Sequence, residues 1–188
     1  MGRTHIADFQ AYDHMLFLLA LCAIFSIKQW KPLLLLVTGF TIGHSVTLAL
    51  AGLDLIRFSK DLIETLIPVT IILTAIYNLI RGPILEGEKL KVIHYGIAVG
   101  FGLIHGMGFS NFLRAMMMPG EESEFIKQLF AFNLGIELGQ IMIVLGILTL
   151  GLLFLDIFGV SRRLWNRILS GAAILISVFL LYEIHFVG

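Results

Sequence analysis

Charge is the scarcest property of this chain: Asp, Glu, Lys and Arg together make up 14% of its 188 residues. A soluble domain of ordinary composition carries about 25%, so there is too little polar surface here to face water on every side. The 13 basic residues are balanced by 13 acidic ones. That balance leaves no basic field for a nucleic acid and no run of like charge that would read as an acidic tail. Cysteine is scarcer still. Cys22 stands alone in an apolar stretch, which excludes a disulfide framework and a thiolate metal cluster and reads as helix packing. Leader signals are missing too. The opening MGRTHIADFQAYDHMLF holds one arginine and places an aspartate and a histidine where a secretory signal needs its apolar core. Gly2 is followed by RTHI rather than by the small residues of a myristoylation signal. The opening segment is therefore expected to be retained.

Apolar residues fill the space that charge leaves. They make up 58% of the chain, and its mean hydropathy is +0.95. A bilayer crossing needs about 20 mostly apolar residues, and windows at 8–27, 33–53, 62–80, 92–116, 125–155 and 165–186 meet that need. The expected fold is an all-α membrane protein, a compact bundle of six transmembrane helices forming one domain over residues 1–188. The fifth window is long enough to tilt or to run into the interface. Connections such as KQWKP and LDLIRFSKD leave no room for a second domain. The loops after the first, third and fifth windows carry eight Lys and Arg residues against five elsewhere. The positive-inside rule then predicts both termini on the outer, periplasmic side, together with the acidic stretch 120–124.

Against this background, ionisable groups inside the windows need an account, because burying them in hydrocarbon is costly without a partner. The densest feature is FGLIHGMGFSN at 101–111, where His105 lies among Gly100, Gly102, Gly106 and Gly108. Small residues let neighbouring backbones approach closely, so other helices are expected to reach His105. Asp13 and His14 are adjacent, about 100° apart on a helix. One of them can face a cavity while the other orients it. His44 stands near mid-depth in FTIGHSVTL with Thr41 and Thr47 on the same face. Glu64 opens the third window and reads equally well as a charge in the headgroup region. Pro68 beyond it is expected to kink its helix and free a carbonyl. In the fifth window Asn133, Glu137 and Gln140 form a polar stripe at i, i+4 and i+7, and Gly135 with Gly139 forms a GxxxG pair expected to pack closely. His5, His94, Glu183 and His185 lie at window edges and read as solvated. The methionines 116–118 read as lipid-facing or interfacial.

On this topology Asp13, His14, His44, His105, Asn133 and Glu137 converge from four helices between the outer third and the midplane. Imidazoles with carboxylates make a borderline donor set, suited to Ni²⁺, Co²⁺, Zn²⁺ or Fe²⁺. The expected metal ligands are Asp13, His14, His44, His105 and Glu137. Thr41, Thr47, Glu64, Asn133 and Gln140 are expected to support them or to line a pathway.

The blocks AYDHMLFLLAL, FTIGHSVTLAL, FGLIHGMGFSNFL and FNLGIELGQ, in this order across the first five windows, resemble those of the HupE/UreJ family. The likeness is to its second branch, bacterial membrane proteins associated with hydrogenase and urease operons. The resemblance implies a polytopic protein of the bacterial inner membrane that acts as a permease for nickel or a related divalent metal. It also implies functional roles for Asp13, His14 and His105. The better-studied branch carries a further histidine shortly before the Asp-His pair, whereas here His5 has seven residues between it and Asp13.

Three functions fit these readings. The leading one is a divalent-metal permease, with the lipid bilayer and the ion as partners. The alternative is an intramembrane metal-dependent hydrolase, with Glu137 as catalytic base. The third is an accessory protein whose polar groups lock the bundle. The oligomeric state is left open.

Overall fold

The computed structural model describes residues 5–116 and 125–186, with side chains for 13–109 and 127–186, and no strand forms among them. Helix α1 spans His5–Cys22, α2 Trp30–Gly52, α3 Lys60–Arg81, α4 Val92–Met116, α5 Phe125–Gly151 and α6 Arg162–Phe186. Each apolar window becomes one helix. Five of the six are long and apolar enough to cross a membrane, and the described part of α1 adds the shorter apolar stretch Asp13–Cys22. Large aliphatic side chains point outward, Val92 with 86% and Ile80 with 82% of its surface exposed. That suits a surface solvated by lipid tails, against which helices keep their backbone hydrogen bonds internal. The methionines 116–118 and the stretch 120–124 lie outside the described side chains.

The helix ends follow from local chemistry. The Ser59 hydroxyl accepts from the Leu62 N–H at 3.4 Å and caps α3. Gly82 ends that helix with φ 79°, a left-handed conformation that costs glycine nothing. Its N–H closes the last turn on the Asn78 carbonyl. Pro68 lies inside α3 without ending it; its ring removes the N–H that would have bonded the Glu64 carbonyl. Helix α1 stops at Cys22, short of its apolar window, because the chain turns into a 3-10 segment at Ile27–Gln29. The Gln29 side chain holds that turn. Its oxygen accepts from the Ser26 N–H at 3.0 Å, and its amide donates to the Ile84 and Leu85 carbonyls at 3.2 and 2.9 Å. Helix α5 uses its extra length in a π-helical turn at Leu152–Ile157.

Packing is tightest between α2 and α4. A Cβ at Gly102 would collide with the Phe40 carbonyl, one at Gly106 with the His44 carbonyl and the Thr47 hydroxyl, and one at Gly43 with the Val99 carbonyl. The two backbones therefore touch. Thr47 Oγ1 donates across this seam to the Leu103 carbonyl at 2.8 Å. A Cβ at Gly108 would stand 2.9 Å from Ile67 Cδ1 of α3, while Gly100 meets open space. The Gly135 and Gly139 pair departs from expectation. Among the described residues nothing lies within 4 Å of a Cβ at either.

A second seam joins α3 to α6. Asn78 Nδ2 donates to the Ala20 carbonyl at 2.6 Å, Asn166 Nδ2 to the Asn78 carbonyl at 2.7 Å, and Ser170 Oγ to Asn166 Oδ1 at 2.9 Å. Carbonyls in the last turn of a helix lack partners within it. Asn78 and Asn166 thus add a second bond to carbonyls near the ends of α1 and α3, which already accept from Ala23 and Gly82. At the same end of the molecule, Glu86 Oε1 accepts from Lys28 Nζ at 3.0 Å and from Arg162 at 3.1 Å. The connections after α1, α3 and α5 therefore meet.

Candidate metal centre

Three imidazoles meet in the middle of the bundle. Helix α1 contributes His14, α2 His44 and α4 His105; His14 is 9% exposed and the other two are fully buried. The His14 ring lies edge-to-face on His44 with centroids 5.1 Å apart, and on His105 at 5.2 Å. The glycine seam makes this approach: with Gly102 and Gly106 against the α2 backbone, His105 comes level with His44. Phe17, Phe40 and Phe109 wall the cluster, with ring centroids between 4.9 and 6.3 Å from the histidines. The surroundings are largely aromatic.

The nitrogens are unevenly served. His14 Nε2 and His44 Nδ1 stand 3.4 Å apart, at the long edge of hydrogen-bonding range. His105 Nε2 meets the Thr70 hydroxyl at 3.0 Å. His44 Nε2, His105 Nδ1 and Asp13 Oδ1 are buried and have no hydrogen-bond partner among the described residues. Folded proteins pair the large majority of such atoms, so each exception needs an explanation. An oxygen from a carboxylate and two imidazole nitrogens are a donor set for a borderline divalent cation. Thr70 is the kind of partner that fixes the ring of a ligating histidine.

The rings are packed on one another rather than drawn up around a point. Among the described residues no three His, Cys, Asp or Glu side chains are arranged to hold a metal ion. Ligation requires the rings to turn so that their nitrogens lie about 2.0–2.1 Å from a shared ion.

The other expected residues fall elsewhere. Glu64 is near enough to Asp13 to act on its charge, yet pairs with Lys60 at 3.4 Å. Thr47 serves the α2–α4 seam. Glu137 and Asn133 line a groove of about 470 Å³ between α2 and α5, together with Thr38, Thr41 and Ser45. None of the three histidines lines it. Thr41 bridges inward from the groove, its hydroxyl donating to Gln140 Oε1 at 2.7 Å. The polar stripe on α5 is real, but it opens on another face of α2. Thr70 went unread in the sequence, because it is only one of several threonines in α3 that bond back to their own helix. Asn166, Ser170 and Ser177 share a face at helical spacing, and that spacing was the available signal.

Comparison with protein families matches residues 1–186 to the family described as HupE / UreJ protein. The chain belongs to the HupE/UreJ family. No curated protein and no solved structure matches it. The match runs through all six helices, so this HupE/UreJ protein carries His14, His44 and His105 within the family's own span. With its apolar helices, it is a multi-pass membrane protein.

Proposed function

We propose that this protein is a permease for a divalent transition metal, nickel first and cobalt, zinc or iron as related cargo, in the bacterial inner membrane. Its six helices cross the bilayer as one domain over residues 1–188, with both termini on the periplasmic side. One observation carries the reading: His44 Nε2 and His105 Nδ1 are buried without hydrogen-bond partners among the described residues, in one aromatic-walled cluster with His14. An ion entering from the outer side would serve both nitrogens once the rings turn to it, with Asp13, next to His14 on α1, as the candidate carboxylate. Neutral imidazoles exchange a divalent ion more readily than thiolates do, which suits passage rather than storage. His14 would complete the set, and Thr70 would hold His105 with Nδ1 turned to the ion.

A hydrolase would need a carboxylate base beside the metal-bound water. Glu137 opens instead into a groove without histidines. Glu137 is therefore removed as the base that the hydrolase reading assigned to it.

Nickel uptake into liposomes carrying the purified protein tests it. Wild type is expected to pass nickel down its gradient, while His44→Ala and His105→Ala lose that flux and remain monodisperse. Absence of flux in the wild type, or equal flux in all three, would overturn the proposal.

A further inference from the structure

The α2–α5 groove presents a different chemistry from the histidine cluster. Its polar lining is all oxygen-bearing: the Glu137 carboxylate, the Asn133 amide and the hydroxyls of Thr38, Thr41 and Ser45. Asn133 Nδ2 is spent on the Leu129 carbonyl at 3.0 Å, whereas Asn133 Oδ1 is buried with no partner. Glu137 has no hydrogen-bond or ion-pair partner among the described residues. An unpaired carboxylate and an unpaired carbonyl oxygen thus share one groove at membrane depth.

We infer that this groove is a binding site for a monovalent alkali cation, taken here as sodium, with Glu137 as its charged ligand and Asn133 Oδ1 and the hydroxyls completing an oxygen shell. Hardness separates it from the histidine site, because oxygen donors favour hard cations over nickel or zinc. Charge selects within the hard cations. One carboxylate among neutral donors neutralises a monovalent ion, whereas magnesium or calcium would leave a net positive charge where the dielectric is low. A proton alone would neutralise Glu137 but would leave Asn133 Oδ1 unserved. Thr41, in the groove wall, and His44 lie within one turn of α2. The sodium site itself does not rest on the permease reading, although any effect of sodium on nickel flux does.

The test is equilibrium binding of radiolabelled sodium to the purified full-length protein, with choline holding ionic strength constant and no transition metal added. Saturable binding is expected in wild type and in His44→Ala/His105→Ala. Glu137→Gln should abolish it. Glu137→Asp, which keeps the charge, should retain it in weakened form, and Asn133→Ala should weaken it about 10- to 100-fold, as loss of a supporting group does at metal sites. No saturable sodium binding in wild type, or binding unchanged in Glu137→Gln, would overturn the inference, as would a groove closed by a second copy of the chain in cross-linked dimers that bind no sodium. Sodium binding without nickel flux would sink the permease alone, and nickel flux without sodium binding would sink the sodium site alone.

Discussion

His105 has two ring nitrogens in unlike situations, one against the Thr70 hydroxyl and one buried with nothing to bond. Thr70 itself bonds back to the Ile67 carbonyl at 2.7 Å, so its hydroxyl is held in place by its own helix. Replacing it with a shape-matched apolar residue removes the constraint on His105 without opening a cavity. Thr70→Val is expected to lower nickel affinity about 10- to 100-fold, with Thr70→Ser restoring most of it. Calorimetric titration of the purified variants would measure this, and equal affinity in all three would deny Thr70 the positioning role. Asp13→Asn keeps the shape and removes the charge, so it should also weaken nickel binding in the same titration. At this scale much was legible. An intramembrane histidine beside glycines announces a function because burial has to be compensated. Which nitrogen remains open was not legible, because that depends on a threonine from a third helix.

Among helices, the glycines of α4 sort themselves by what faces them. Gly106 abuts the His44 carbonyl and the Thr47 hydroxyl, whereas Gly100 faces open space. Gly106→Ala is therefore expected to part α2 from α4 at a cost of about 1–3 kcal/mol, the range for overpacking. Gly100→Ala should be neutral or slightly stabilising, since alanine is the better helix former. Thermal unfolding in detergent distinguishes the two, and a Gly106→Ala variant as stable as wild type would refute backbone contact at that seam. The same residue pattern misled at Gly135 and Gly139. Spacing alone says that a close approach is allowed, and only the rotation of α5 about its axis decides whether a neighbour takes it. The polar stripe Asn133, Glu137 and Gln140 was readable as a stripe for the same reason. Its destination, a groove apart from the histidines, was not.

The whole molecule is tied at one end by Glu86, which joins the connections after α1, α3 and α5 through Lys28 and Arg162. The hydrogen bond and charge of Lys28, followed by those of Arg162, hold the Glu86 carboxyl below its ordinary value of 4.5. A carboxyl with a depressed folded pKa contributes stability above its unfolded value and loses it as pH falls through the folded one. The clamp therefore holds at neutral pH and weakens as pH drops below 4.5. The effect is small because the groups are exposed and screened by salt. Melting temperature followed through that acidic window should fall less steeply in Glu86→Gln than in wild type, and less steeply at high salt. Orientation is testable at the same scale, since Cys22 is the one native cysteine and is buried. With an impermeant maleimide, Phe58→Cys is expected to label in intact cells and Leu85→Cys only after permeabilisation. The reverse pattern would invert the topology.

Hydropathy by itself determined that six apolar segments become six helices and that lipid is their solvent, because a backbone in hydrocarbon must satisfy its hydrogen bonds within each segment. It also marked His14, His44 and His105, because charge-bearing groups are expensive there. The tertiary structure alone decided that Glu137, expected beside these three, opens elsewhere. Helix rotation and the backbone contact of α2 with α4 set those partnerships, and both arise from packing between segments that lie far apart along the chain.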